Sequence, residues 1–165
     1  MVVAMMTDQE SAFVEEMGQV LAGYGMTPMA GRVWGWLLIC DPAEQTAADL
    51  ADALGASRGA ISGTARILSN AGMIRRTRRR GDRREYFSAP PEALDAFLAS
   101  AGRIYRQFRE MAERGLVAIE YRPPESRRRL EEVRDLFAFV EIEVPRVADE
   151  FLRDRAGRAG RKDPA

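Results

Sequence analysis

Between Thr46 and Phe87 two short helical patterns meet at Gly55 and lead directly into an arginine-studded hairpin. Few arrangements other than a winged helix-turn-helix accommodate that order. Thr46 and Asp49 form a capping box of the Ser/Thr-x-x-Asp/Glu type, and Leu50, Ala51 and Leu54 share one helical face. Gly55 ends this first helix. Ala51 lets a second helix approach closely, while Gly55 accepts the positive φ of a sharp bend. The second helix, over 57–71, takes Ser57 as its N-cap and Gly72 as its left-handed C′ residue.

The two faces of that second helix differ. At 100° per residue Ile61, Thr64, Ala65 and Leu68 fall on one side, and Arg58, Gly59, Ser62, Gly63 and Arg66 on the other. A glycine inside a helix costs about 1 kcal/mol relative to alanine, so an ordinary surface helix has little reason to carry two on its polar face. A helix that enters a major groove roughly 12 Å wide does have a reason, since it needs small residues near base edges and arginines near guanine or phosphate.

Met73 to Arg80, a Gly81-Asp82 turn signal and Arg83 to Ser88 then read as two strands of a hairpin. Seven arginines stand there against Asp82 and Glu85. Their mutual repulsion makes an anion the natural partner, and arginine fits a narrow minor groove where the negative potential is strongest. Asp82 can fix one neighbouring guanidinium by a bidentate pair and so aim it. The residues expected to meet duplex DNA are therefore Ser57, Arg58, Gly59, Ser62, Gly63 and Arg66 on the helix, with Arg78, Arg79, Arg80, Asp82, Arg83 and Arg84 on the wing.

Net charge hides this polarity. The 165 residues carry 25 basic and 25 acidic side chains, yet 57–87 holds nine arginines and two acids, a local charge of +7 that the rest must balance with −7. The local field, not the total, steers association with nucleic acid. A protein-binding winged helix would need exposed apolar residues on its wing instead. Histidine is absent and Cys40 is the one cysteine, so conventional zinc sites and Ser-His or Cys-His catalysis are not available and no cofactor is implied. The carboxylate pairs Glu15-Glu16, Glu131-Glu132 and Glu141 with Glu143 sit in helical patterns as solvated faces, so an enzyme is not expected. A single cysteine suits a reducing compartment, no segment is long and apolar enough to span a bilayer, and Met1 to Met6 is too short for a secretory leader; a cytoplasmic protein is expected. Cys40 has no basic neighbour in sequence to lower its pKa, which favours an inert thiol over a redox sensor.

The rest of the chain is helical. A Thr7-x-x-Glu10 capping box opens a helix through Phe13, Met17, Val20, Leu21 and Tyr24 that ends near Gly23 or Gly25. Pro28 starts another, apolar nearly all round and so expected to be buried. After Pro90-Pro91 a long helix reaches about Ile119, its stripe marked by Leu94, Phe97, Leu98, Ala101, Ile104, Tyr105, Phe108, Met111 and Ala112. Ser126 is the expected cap of the last helix. There Leu130, Val133, Phe137, Val140, Val144, Val147 and Phe151 alternate steps of three and four, a helix-packing seam that Pro145 should kink or break. The expected organisation is an N-terminal dimerisation helix over 1–27, a DNA-binding domain over 28–90, C-terminal dimerisation helices over 91–154 and a disordered tail over 155–165. The fold class is mainly α with a small β wing.

The helix pair, the wing and the Asp82-Arg83-Arg84 turn resemble the MarR family of bacterial transcription regulators, in particular its GbsR-like branch. Gly31 to Pro42, Ala60 to Arg66 and Gly81 to Phe87 are similar to mycobacterial members that repress an RND-class lipid and drug exporter. The resemblance covers nearly the whole chain and implies a homodimer, interlocked through its first and last helices, on a pseudo-palindromic operator. It implies that the helix over 57–71 reads the major groove and that Arg84 enters the minor groove, although the arginine run before the turn leaves open which wing arginine does so. It also implies that a small, often apolar or anionic molecule binds between the two halves and that the target is an efflux or export operon; Arg32, Trp36, Tyr105 and Phe108 are the candidate ligand residues, and an apolar or lipid-like inducer is expected.

Overall fold

Residues 6–159 are described by the computed structural model, and they divide into two units at Leu94. The first unit opens with α1 (Asp8–Gly23) and α2 (Pro28–Ile39). Thr7 and Glu10 close the expected capping box on α1, and the Thr27 side chain caps α2 ahead of Pro28. The two helices cross at their glycines. A Cβ on Gly31 would lie 2.3 Å from the Met17 carbonyl oxygen and 2.6 Å from Gly18 Cα, so only glycine permits this backbone approach. α1 therefore packs in the same unit as the helix pair that follows.

β1 (Gln45–Thr46), α3 (Ala47–Leu54), α4 (Arg58–Asn70), β2 (Arg75–Arg78) and β3 (Glu85–Ser88) complete the first unit, and α5 begins at its end. Thr46 caps α3 through the reciprocal bonds with Asp49, Gly55 sits at φ +60° between α3 and α4, and Ser57 caps α4. Gly72 at φ +79° turns the chain out of α4, with Met73 N–H donating to the Leu68 carbonyl. The sheet runs β1-β3-β2, all antiparallel, with Arg78 opposite Glu85 and Thr46 opposite Tyr86. Its core joins Val14 of α1, Val33, Trp36 and Leu37 of α2, Leu50 and Leu54 of α3, Ile61 and Leu68 of α4, and Phe87 of β3. α2 is not covered all round, however: Leu38 and Ile39 are exposed.

The hairpin differs from its expected form. The strands are four residues each, so Arg79, Arg80, Arg83 and Arg84 lie in the connecting loop. Its turn centres on Arg80-Gly81, not Gly81-Asp82: Asp82 N–H donates to the Arg79 carbonyl, and Gly81 takes φ +82° at the third position, the geometry of a type II turn.

The second unit is formed by α5 (Pro91–Ala118), which enters it after Leu94, and α6 (Pro124–Ala159). Ser126 lies inside the first turn of α6, not at its cap, since Pro124 already occupies the helix start. The helix runs unbroken through Pro145. Gly102 of α5 makes room for that proline, because a Cβ there would lie 2.8 Å from Pro145 Cγ. Glu141 ties the pair together, accepting from Arg106 Nε at 2.8 Å and Arg109 Nε at 2.7 Å. α6 continues through Arg155 to Ala159, so the first part of the expected disordered tail is helical, while 160–165 lie outside the described residues.

Candidate nucleic-acid interface

α4 separates its faces as its sequence predicts. Ile61, Thr64, Ala65 and Leu68 are buried, while Arg58, Gly59, Ser62, Gly63 and Arg66 are exposed, as is Ser57 at the cap. A Cβ on Gly59 or Gly63 would meet no atom within 4 Å. Neither glycine is needed for packing or for an unusual φ. Arg58 and Arg66 make no hydrogen bond or ion pair within the described residues. Ile67 and Asn70 are exposed on the same helix, residues the sequence reading left out; an apolar side chain suits a thymine methyl and an Asn amide suits adenine.

The wing sorts its arginines. Glu85 accepts from Arg76 and from Arg78, the latter through Nε at 3.0 Å. Asp82 holds Arg84 through both carboxylate oxygens, Nε lying 3.1 and 3.0 Å from them and Nη2 2.7 Å from Oδ2. It also accepts the Arg84 backbone N–H at 2.9 Å and the Tyr86 hydroxyl at 2.8 Å. Those donors, Arg84 foremost, hold the Asp82 carboxyl below the usual carboxylate range, and Arg78 and Arg76 do the same for Glu85. Arg79 turns away from the turn tip. Its Nη2 donates to Glu44 Oε2 at 2.7 Å, its guanidinium lies 4.1 Å from the centre of the Tyr86 ring, and the Thr77 hydroxyl donates to the other Glu44 oxygen at 3.2 Å. Arg75 lies 4.0 Å from Glu92. Arg80 and Arg83 are exposed and have no partner among the described residues.

Glu44 is the functional candidate that the sequence reading missed. It stands 33 and 35 residues before the wing side chains it binds, so no local pattern marks it.

The residues expected to hold a ligand divide between the units. In the first, Arg32 is engaged: Nε lies 2.8 Å from Glu15 Oε1, and Nη2 donates to the Leu54 carbonyl at 3.1 Å. It braces α1, α2 and the end of α3. Trp36 is buried, and its indole N–H has no hydrogen-bond partner among the described residues. In the second unit Tyr105 and the exposed Phe108 stack on Phe137 at 6.3 and 4.7 Å between ring centres. Cys40 is half-buried, and that burial pushes its thiol up to about 11. Of the acidic pairs, Glu141 is bound by two arginines and Glu143 by Arg146 at 3.4 Å. Among the described residues no group of His, Cys, Asp and Glu is placed to hold a metal ion, and no helix is long and apolar enough to cross a membrane.

Known proteins match both units. A model of the MarR family covers residues 24–85, and one of MmpR5-like MarR family transcriptional regulators covers 92–154. Over 129 residues, 78% of this chain and 78% of the relative, the sequence is 44% identical to the HTH-type transcriptional regulator MmpR5 of Mycobacterium tuberculosis. The chain belongs to the MarR family of transcriptional regulators. A crystal structure of a transcriptional regulator aligns with 40% identity over 88% of this chain and 99% of the other, at a TM-score of 0.81. The regulator thus has the winged helix-turn-helix fold, and its relatives are DNA-binding regulators of transcription, not enzymes.

Proposed function

We propose that the regulator binds a pseudo-palindromic duplex operator as a homodimer and represses an efflux or lipid/drug-export operon. The observation that carries DNA reading is α4: an exposed face kept small by two glycines that the fold does not require, flanked by two arginines with no partner inside the chain among the described residues. Dimerisation is supported by the second unit, where Leu136, Phe139, Ile142 and Val147 of α6 and Ile104 and Met111 of α5 stay exposed. Two helices cannot bury so much apolar surface between themselves, and a second copy offers a matching one. The operon assignment rests on the likeness of 31–42, 60–66 and 81–87 to mycobacterial exporter repressors.

Duplexes selected from genomic fragments test the central part. A single enriched inverted repeat is expected. Ser62→Ala or Arg66→Ala should then weaken binding to it by about 1 to 3 kcal/mol while leaving random-sequence binding closer to intact; equal losses on both would mean that α4 does not read bases.

Release by an apolar or lipid-like ligand is the second half of the proposal. The indole N–H of Trp36 supports it: it is buried with no acceptor among the described residues, and a ligand acceptor would satisfy it. Arg32 contributes as a brace, being committed to Glu15 and Leu54. Linkage requires that operator DNA weaken ligand binding by the factor by which ligand weakens DNA binding. Tryptophan fluorescence titrations of a long-chain fatty acid, with and without operator, should show that reciprocity; equal affinities would remove the mechanism for that ligand. Cysteine-based sensing is disfavoured, because a thiol pushed up to about 11 is scarcely ionised near neutral pH.

A further inference from the structure

The wing pairs most of its own charge. Of the nine arginines in 57–87, Arg76 and Arg78 are held by Glu85, Arg84 by Asp82, Arg79 by Glu44 and Arg75 loosely by Glu92. Arg58, Arg66, Arg80 and Arg83 remain, without partners among the described residues. We propose that Glu44 is a positioning residue that latches the wing to the body of the first unit through Arg79 and Thr77, so that Arg80 and Arg83, not Arg79, are the wing arginines presented to phosphate.

The geometry has three parts. Glu44 belongs to the loop just before β1, whose strand pairs with β3, so it is fixed to the edge of the sheet opposite β2. From there it reaches across to Thr77 on β2 and to Arg79 just beyond it, both oxygens being used. Tyr86, buried on the middle strand, supplies the surface on which the Arg79 guanidinium lies, and its hydroxyl is tied to Asp82 on the far side of the turn. Both ends of the loop are thus held, and the turn between them projects Arg80 at its second position and Arg83 just after it. A carboxylate on a surface meant for DNA is unfavourable on charge alone. Glu44 is tolerable there because Arg79 offsets its charge, and the pair holds the wing in place.

The inference rests on duplex DNA being the partner, and one experiment separates the two. Salt titrations of the full-length protein on a fluorescein-labelled random-sequence duplex pool come first, for wild type and variants. Arg80→Ala and Arg83→Ala should each flatten the log-log salt slope, by about 0.9 for every phosphate that is no longer neutralised and so by roughly 2 per dimer, whereas Arg79→Ala should leave it unchanged. On a duplex enriched from genomic fragments Glu44→Gln should weaken binding about fivefold although it removes a negative charge, Arg79→Ala should do the same, and the double variant should be no weaker than either. Tighter binding by Glu44→Gln, multiplied losses in the double variant, or a slope flattened by Arg79→Ala as much as by Arg80→Ala would overturn the latch while leaving DNA binding in place. A wild-type slope near zero would instead overturn the DNA reading, and the latch with it. Should a single variant lower the melting temperature, the charge-swapped pair Glu44→Arg with Arg79→Glu decides: restored binding supports the latch, and continued loss overturns it.

Discussion

At the scale of single residues, the interface is a set of permanent charges. Histidine is absent, burial pushes Cys40 up to about 11, and Glu44, Asp82 and Glu85 are all held below their ordinary values by the arginines that bind them. A carboxylate whose folded pKa is depressed contributes above its unfolded pKa, near 4, and loses that contribution only as pH falls through the lower folded value. DNA affinity at fixed salt should therefore stay constant from about pH 6 to pH 8 and decline only well into the acid range. Fluorescence anisotropy across that window checks this; a transition near neutral pH would show that a group outside the wing controls binding. The capping residues Thr7, Thr46 and Ser57 are legible at this scale because a cap acts over three residues. Glu44 is not, because its partners arrive only when β1 pairs with β3.

Among the elements, the proposed DNA-reading role of α4 sets folding against binding. Gly59 and Gly63 sit where an added Cβ meets nothing within 4 Å among the described residues, so Gly59→Ala or Gly63→Ala should stabilise the free protein by about 0.5 to 1 kcal/mol. The same methyl would stand between the helix backbone and the base edges, so operator affinity should fall. A raised melting temperature with unchanged affinity would show that this face does not approach DNA closely. Gly31→Ala has the opposite character: with the Met17 carbonyl 2.3 Å away, α1 and α2 must separate, at a cost of about 1 to 3 kcal/mol in thermal or urea unfolding. Periodicity locates these helices, since burial of one face repeats every 3.6 residues. It cannot show that Gly31 is a crossing point, that a two-residue β1 joins the sheet, or that α6 continues through Pro145, because each depends on a partner distant in sequence. The Gly-Asp signal places the wing turn one residue late for a related reason. Gly81 supplies the positive φ at the third position of a type II turn, and the hydrogen bond from Asp82 to Arg79 fixes that frame.

On the scale of the whole molecule, charge and apolar surface are divided between the units. The arginines of 57–87 that have no partner among the described residues belong to the first unit, and the second leaves Leu136, Phe139, Ile142 and Val147 exposed. The proposed homodimer would satisfy both, burying the apolar rows and combining modest half-site affinities through effective concentration. Leu136→Arg or Ile142→Arg should shift sedimentation toward a monomer and weaken operator binding by orders of magnitude while sparing the fold of the first unit. The most direct measurement of the central claim is the salt dependence of duplex binding by the intact protein. A dimer that neutralises roughly eight phosphates gives a log-log slope near −7; a slope close to zero, or equal binding by a monomer, would contradict it.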